Sequence, residues 1–346
     1  MSPASSPTVS VRRTTRRDGS TLAQDVLDGL ARELMELPPK HLYDERGSQL
    51  FDDICGLPEY YPTRTERAIL EANASRIARS TGAAELVELG CGTAAKTRVL
   101  LDALATQGTL RRYVAFDIDE SMVKRTAAQL ADEYPQLEQV EGVVGDFEHD
   151  LGLISAPVPG RRRAVALLGG TIGNFPPAER RALLRAISRL LGPEDHLLLG
   201  ADLVKDPAVI EAAYNDSAGV TAEFNRNVLH VINRELDADF PVERFAHVAF
   251  YDREQEWIEM RLRALEQFSV RIDALDMELG FSPQDEIRTE ISAKFSTERL
   301  QDDLGASGLR ITEVLRDHDG LFALVLARPT GGDERRAAGT EADPRC

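Results

Sequence analysis

Short apolar segments alternate with longer amphipathic segments through the middle of the chain. The short segments are bounded by polar or glycine-containing turns, which is typical of buried strands, and the longer ones have apolar residues at helical spacing. The predicted strands cover residues 86–89, 113–116, 140–144, 165–168 and 196–200. Strands that take turns with helices favour a parallel sheet covered on both faces. We therefore expect an α/β fold with a doubly wound sheet.

The flanking regions follow other patterns. Residues 19–80 have apolar positions at helical spacing, and residues 203–286 change from helical spacing to strand-like alternation. The last part returns to strand, helix and two strands, with Ser296 as the expected N-cap of the helix. The predicted units are a disordered tail at 1–18, a helical segment at 19–80, an α/β domain formed by 81–202 and 287–329, an inserted α+β domain at 203–286 and a disordered tail at 330–346.

Composition and charge narrow the range of partners. Hydrophobic residues make up 42% of the chain and charged residues 29%, as in ordinary globular proteins. The formal net charge of −17, from 41 Lys and Arg against 58 Asp and Glu, repels nucleic acids and anionic membranes. The three cysteines have neither disulfide nor zinc-site spacing. We expect a cytoplasmic monomer with no metal and with no nucleic-acid or membrane partner.

A glycine turn follows the first predicted strand. Gly90, Cys91 and Gly92 lie between this strand and a helix. Glycine lets the backbone approach a ligand, and the N-terminus of the helix offers free N–H groups. The motif indicates a nucleoside cofactor, although such a loop is also found in NAD-binding proteins.

The next two strands end in acidic residues. Asp117 follows the second strand and can accept both hydroxyls of a ribose. Asp146 follows the third strand and can accept from an adenine amine, while Phe147 packs against the purine. Asp119 is interpreted as a helix N-cap instead. The three strand ends therefore predict an adenosine-containing cofactor, but they do not distinguish S-adenosylmethionine (SAM) from NAD.

Several strings, in this order along the chain, together carry a family resemblance. They are Tyr43-Asp44-Glu45-Arg46-Gly47-Ser48, Glu59-Tyr60-Tyr61-Pro62-Thr63-Arg64-Thr65-Glu66, Glu88-Leu89-Gly90-Cys91-Gly92, Gly169-Gly170-Thr171-Ile172-Gly173-Asn174-Phe175 and Thr289-Glu290-Ile291-Ser292-Ala293-Lys294-Phe295. From about residue 42 to 328 the sequence resembles the L-histidine Nα-methyltransferases. These are class I methyltransferases with a Rossmann-like sheet, which use SAM to trimethylate histidine to hercynine in ergothioneine biosynthesis.

The resemblance implies specific roles for residues of this chain. It implies that the α/β domain binds SAM, and that the inserted domain, with help from the 19–80 segment, binds histidine. The implied SAM residues are Gly90, Lys96, Asp117, Asp146 and Phe147. The implied histidine residues are Tyr60, Asn174, Tyr214, Met260, Glu290 and Ser292, with Phe51 or Tyr43 nearby. Of these, Tyr60 and Asn174 are the predicted catalytic residues; the sequence leaves open whether solvent, Tyr60 or Tyr43 takes the proton of the amine.

The spacing of Glu290 and Ser292 supports a histidine substrate independently. Residues two apart in a strand face the same side, so a carboxylate and a hydroxyl can serve the two ring nitrogens. Asn174 and Tyr214 are neutral donors suited to the α-carboxylate. The alternatives are an N-methyltransferase for another amino acid such as tryptophan, an NAD-dependent oxidoreductase, and a protein that binds the adenosyl ligand without catalysis.

Overall fold

Helices and strands alternate through the middle of the chain, as the hydrophobic pattern predicts. The computed structural model describes residues 7–13 and 21–331. The strands are β1 (Thr8–Arg13), β2 (Met35–Glu36), β3 (Glu85–Leu89), β4 (Arg112–Asp117), β5 (Gln139–Val144), β6 (Arg163–Leu167), β7 (His196–Asp202), β8 (Phe245–Asp252), β9 (Trp257–Ala264), β10 (Phe268–Ile272), β11 (Met277–Phe281), β12 (Glu286–Ala293), β13 (Leu309–Arg316) and β14 (Phe322–Pro329). The α-helices are α1 (Leu22–Leu30), α2 (Glu45–Cys55), α3 (Tyr61–Thr81), α4 (Thr97–Gln107), α5 (Glu120–Glu133), α6 (Pro177–Arg189), α7 (Pro207–Tyr214), α8 (Val220–Glu235) and α9 (Thr297–Gly305).

The main sheet has eight strands in the order β1-β5-β4-β3-β6-β7-β14-β13. The strands from β1 to β7 in this order are parallel; β14 runs antiparallel to β7, and β13 runs antiparallel to β14. Leu89 is in register with Phe116 on one side and with Leu167 on the other. The carboxyl ends of β3, β4 and β6 therefore meet at one edge of the sheet, where α/β proteins bind ligands.

Both faces of this sheet are covered by helices. Leu86 packs in a cluster that includes residues of α3, α4 and α5, whereas Val87 and Leu89 pack in a cluster that includes residues of α6 and α9. Strands covered on both faces are apolar throughout, which explains why they stand out in the sequence. The predicted doubly wound α/β class is confirmed. The described helices include none that is long and apolar enough to cross a membrane.

A second sheet, in the order β2-β12-β9-β8, lies with α7, α8 and the N-terminal helices around a separate hydrophobic cluster. Residues 203–286 contain helices and strands, as expected for an α+β insertion. However, β12 pairs with β9 in this second sheet, so the main sheet resumes at β13 and not at residue 287. The predicted boundary placed β12 in the wrong sheet because its apolar alternation fits either one.

The N-terminal residues differ from the prediction of a tail. Thr8–Arg13 form β1, which pairs in parallel with β5 at the edge of the main sheet. Val11 packs beside Gly142, where an added Cβ would lie 3.2 Å from Val11, and Arg12 forms a 3.1 Å ion pair with the buried Glu141. The remainder of the predicted tails, at 1–6, 14–18 and 332–346, lies outside the described residues.

Candidate active site

The glycine turn after β3 forms one wall of the site. Gly90 has φ +75° and Gly92 has φ +46°, conformations that favour glycine. An added Cβ at Gly90 would lie 3.4 Å from Cζ of Phe147. The ring of Phe147 therefore lies close against the side of the turn that glycine leaves without a side chain.

Asp117 holds this turn from the end of β4. Its Oδ2 accepts from the N–H of Gly92 at 2.9 Å, and its Oδ1 accepts from the N–H of Asp119 at 3.1 Å. Each carboxylate oxygen can accept a second hydrogen bond, so the ribose hydroxyls remain possible donors. Burial raises the pKa of Asp117. Asp119 caps α5 by accepting from the N–H groups of Ser121 and Met122, which confirms its interpretation as an N-cap.

Phe147 and Asp146 follow β5. Phe147 stacks on Phe116, with ring centroids 5.6 Å apart and planes at 19°. Asp146 accepts from the N–H of Glu148 at 2.9 Å and from the ammonium of Lys40 at 3.0 Å. The carboxylate predicted to bind the adenine amine thus has a lysine partner from the N-terminal segment, which the sequence did not indicate.

Lys96 lies against a buried carboxylate that the sequence analysis did not single out. Glu66 of α3 is 0% exposed, forms an ion pair with Lys96, and accepts from the N–H of Gly169 at 2.9 Å with both oxygens. An added Cβ at Gly169 would lie 3.6 Å from Nζ of Lys96. Glu66 therefore connects α3, the start of α4 and the glycine loop after β6.

The donor set at this edge fits SAM. Positive-φ glycines leave room for the nucleoside, Asp117 keeps acceptor capacity for the ribose, and Phe147 offers an aromatic face. Lys96 supplies a cation that suits the carboxylate of the cofactor. No group of three or more His, Cys, Asp or Glu side chains that could hold a metal ion was found among the described residues.

Glu290 and Ser292 project from the same face of β12, as predicted from their spacing. Glu290 is 8% exposed, and within the described residues no group donates a hydrogen bond to its carboxylate. Burial raises the pKa of Glu290 to about 7, although the charge of Lys294 opposes the shift. A buried carboxyl without a partner costs free energy unless a ligand donates to it. Met260 of β9 is the cross-strand partner of Glu290 and is 2% exposed.

Aromatic side chains from the N-terminal segment and α7 pack against one another in the same hydrophobic cluster as Met260, the partner of Glu290 across the strands. The rings of Tyr60 and Tyr214 lie 6.1 Å apart, and Phe51 lies 6.2 Å from Tyr60 and 5.6 Å from Tyr43. Burial raises the pKa of Tyr214 as well, and the charge of Glu290 contributes to the raised pKa of Tyr43, Tyr60 and Tyr214. Burial raises the pKa of Tyr43 and Tyr60 well above the usual value, so both are neutral phenols at neutral pH.

The glycine loop after β6 joins the two halves of the site. At one end, Gly169 lies beside Lys96 and Glu66; at the other end, an added Cβ on Gly173 would lie 3.4 Å from Oγ of Ser292. Asn174 follows directly and is half-buried. Lys96 of the predicted SAM residues and Ser292 of the predicted histidine residues thus lie at opposite ends of one short loop.

A network of charged and hydroxyl groups, which the sequence analysis missed, lies behind Ser292. Asp202, at the end of β7, accepts from the hydroxyl of Tyr61 and from the ammonium groups of Lys205 and Lys294. The hydroxyl of Tyr214 donates to Ser292 at 2.9 Å. This bond occupies the Tyr214 proton, and the predicted contact of Tyr214 with the α-carboxylate stays a prediction. The sequence signal that could have indicated this network was the family string from Thr289 to Phe295, which contains both Ser292 and Lys294.

Comparisons with known proteins show to which family the chain belongs. The sequence profile of the family described as "Histidine-specific methyltransferase, SAM-dependent" matches residues 22–329. The chain is 49% identical over 306 residues to the histidine N-alpha-methyltransferase of Mycolicibacterium smegmatis, covering 88% of this chain and 94% of that protein. The enzyme of the same name from Mycobacterium tuberculosis is 48% identical over the same shares.

A more distant relative is the ergothioneine biosynthesis protein 1 of Neurospora crassa, which is 36% identical over 57% of this chain and 23% of that protein. The resemblance noted in the sequence, the enzyme class and the SAM cofactor are confirmed by these matches. The chain belongs to the family of histidine-specific, SAM-dependent methyltransferases.

Proposed function

We propose that this protein transfers three methyl groups in succession from SAM to the α-amino nitrogen of free L-histidine, forming hercynine for ergothioneine biosynthesis. The observation that carries the substrate is the pairing of Glu290, a buried carboxyl without a donor, with Ser292 on the same strand face. A carboxylate and a hydroxyl at this spacing provide partners for both ring nitrogens. The relatives named for histidine methylation and for ergothioneine biosynthesis support the same reading.

The cofactor is assigned to the carboxyl edge of the main sheet. SAM supplies a methyl group bound to a positively charged sulfur. Asp117 binds the ribose hydroxyls with its remaining lone pairs, and Phe147 with Gly90 encloses the adenine. Asp146 accepts from the adenine amine while Lys40 shifts toward Asp25, its other carboxylate partner at 3.0 Å. These assignments follow from the bonds that each group still has available.

The substrate is assigned to the space between the glycine loop and β12. Asn174 binds the α-carboxylate, and Met260 forms the apolar wall beside the imidazole. The ring of Tyr214 lines the same space while its hydroxyl supports Ser292. Tyr60 orients the amine.

The methyl transfer depends on the alignment of the reacting atoms and on the exclusion of water more than on a strong base. The nitrogen must attack in line with the carbon–sulfur bond, and the enclosure of the site excludes competing water. Since Tyr43 and Tyr60 are neutral phenols, neither is a preformed base, and the amine reacts after it has lost its proton to solvent. Their aromatic faces stabilise the positive charge that remains after trimethylation.

The alternatives explain the site less well. An indole has one N–H and no acceptor nitrogen, so tryptophan would leave the Ser292 hydroxyl without a partner. Family membership disfavours an NAD-dependent oxidoreductase. The proposal also includes a cytoplasmic location, no nucleic-acid partner and a monomer, for which light scattering should give a mass near 38.1 kDa.

Mass spectrometry after incubation with SAM and L-histidine tests the function. We expect gains of one, two and three methyl groups, with the trimethylated species accumulating. A product that stops at one methyl group would contradict trimethylation, and the absence of any methylated product would contradict the activity. Tryptophan under the same conditions is the substrate control and should remain unmodified.

A further inference from the structure

The Lys294 ammonium is buried directly behind the proposed imidazole site. Lys294 is 0% exposed, and its Nζ lies 2.9 Å from Oδ2 of Asp202, 2.9 Å from Oγ of Ser292 and 3.2 Å from the hydroxyl oxygen of Tyr214. An ammonium has three N–H donors and no acceptor. All three donors are therefore used, and Lys294 can only donate to the two hydroxyls.

This arrangement fixes the direction of the remaining hydrogen bonds. The Tyr214 hydroxyl accepts from Lys294 and donates to Oγ of Ser292 at 2.9 Å. A phenol is more acidic than an aliphatic alcohol and is the better donor of the two. Oγ of Ser292 then accepts twice, from Lys294 and from Tyr214, so both lone pairs are filled. Only the proton of Ser292 is left, and among the described residues nothing accepts it.

Glu290 complements this donor from the same strand face. An ionised carboxylate can only accept, and no described group donates to it. Above its raised pKa of about 7 Glu290 is ionised, and the site then presents one donor, Ser292, and one acceptor, Glu290. An imidazolium, with an N–H on both nitrogens, would place an N–H against the Ser292 proton.

We propose that Lys294 is a positioning residue that fixes Ser292 as a donor, so that the site binds the substrate imidazole as a single neutral tautomer with its N–H toward Glu290 and its bare nitrogen toward Ser292. This inference rests on histidine being the substrate. It goes further because it assigns a protonation state to the bound ring and a specificity role to a lysine that does not itself contact the ring.

Nitrogen-15 NMR of bound histidine tests the tautomer directly. Ring-labelled L-histidine is added to the wild-type protein saturated with S-adenosylhomocysteine, so that no methyl transfer occurs. We expect one ring nitrogen at the shift of a protonated nitrogen and the other at the shift of a bare nitrogen, at a pH where free histidine is partly imidazolium. Two protonated nitrogens in the bound ring would overturn the proposal. A failure of histidine to bind at all would instead overturn the proposed function.

Two variants test whether Lys294 positions Ser292 or only stabilises the fold. Lys294→Met removes the three N–H donors and keeps an unbranched side chain that is one heavy atom shorter. Lys205→Met is the matched control, because Lys205 also binds Asp202 but has no hydrogen bond to Ser292 or Tyr214. We expect Lys294→Met to weaken histidine binding ~10-fold, the size of one hydrogen bond, and to give a mixture of ring protonation states. Lys205→Met should retain the single tautomer. Loss of the single tautomer in both variants, or in neither, would contradict the role of Lys294.

A double-variant cycle checks that Lys294 acts through Ser292. In a Ser292→Ala background, Lys294→Met should have little further effect on histidine affinity. Additive losses would show a merely structural role and overturn the proposal. Should Lys294→Met fail to fold, the Ser292→Ala variant provides the test. The proposal requires that histidine bound to Ser292→Ala no longer has a single ring tautomer. A bound ring that keeps its single tautomer in this variant would overturn the proposal.

Discussion

Gly173 lies so close to β12 that an added Cβ would come within 2.8 Å of the carbonyl oxygen of Ala293 and 3.0 Å of its backbone nitrogen. Both are backbone atoms of a strand held in the second sheet, so they cannot move aside cheaply. This contact fixes the distance between the loop that carries Asn174 and the strand that carries Ser292. The width of the proposed histidine site is thus set by a glycine.

Gly173→Ala should therefore disturb the substrate site. We expect a loss of about 1–3 kcal/mol in the free energy of unfolding, as for other overpacked positions, and a histidine KM raised more than the SAM KM. Gly305→Ala is the control, because no neighbouring atom lies within 4 Å of the added Cβ there. Equal increases in both KM values would contradict the assignment of this loop end to histidine.

Glu66→Gln should weaken cofactor binding through Lys96. The amide keeps an acceptor for the N–H of Gly169 but removes the charge that pairs with Lys96. We expect the dissociation constant of SAM, measured by calorimetry, to rise ~10-fold, the range typical of a lost charge-assisted hydrogen bond. The control is Glu71→Gln on the same helix. Glu71 forms an exposed ion pair with Arg67, so its loss should leave SAM binding unchanged. A histidine KM that rises as much as the SAM constant would argue against this role of Glu66.

Asp146→Ala should raise the SAM dissociation constant with little change in the histidine KM. The carboxylate is the proposed acceptor for the adenine amine, and its present partner is Lys40. Lys40→Met removes that partner and keeps the carboxylate, so it separates adenine recognition from the ion pair. If both variants weakened SAM binding to the same extent, the ion pair and not the adenine contact would account for the effect.

Glu290→Gln should stabilise the protein at alkaline pH and impair histidine binding. The pKa of Glu290 rises from 4.5 to about 7 on folding, so between these pH values the folded state binds more protons than the unfolded state. The contribution of Glu290 to stability is therefore most favourable below pH 4.5 and is lost as the pH rises through 7. Each unit of pKa shift corresponds to 1.36 kcal/mol, so ionising the buried Glu290 costs on the order of 3 kcal/mol of folding stability at pH 8.

Thermal unfolding at pH 5 and pH 8 measures this effect. Relative to the wild type, Glu290→Gln should gain more in Tm at pH 8 than at pH 5, and the histidine KM should rise at both. Saturating histidine should reduce the difference at pH 8, since the ring N–H then donates to the wild-type carboxylate. A variant that gained nothing at pH 8 would contradict the raised pKa.

The strands and caps could be predicted because they depend on neighbouring residues. The apolar strands are covered on both faces and so form continuous runs, and Asp119 and Ser296 cap α5 and α9 through contacts within three residues. The main sheet and its glycine turn follow from this local information. The edge strand β1 was missed because Val9 and Val11 alternate only briefly within a polar segment.

The polar network behind the site could not be predicted in this way. Tyr61 and Asp202 are 141 positions apart in sequence, and Glu66 and Gly169 are 103 apart. No local pattern indicates such contacts, and each residue alone would have been read as an ordinary surface charge or packed ring. Family resemblance named the residues that are proposed to touch the substrate but gave no role for Lys294 or Glu66.

The position of Asp202 also affects when the site can form during synthesis. Its partners come from α3, from the segment after β7 and from the end of β12, so Lys294 reaches it only after most of the chain has been made. Contacts of such long sequence separation form late, because the intervening loop must first be closed. The strands β3 to β6, which carry the proposed cofactor residues, are synthesised well before Lys294, whereas the pocket proposed for the amino acid cannot be completed until Lys294 has been made; β13 and β14 of the main sheet follow later still.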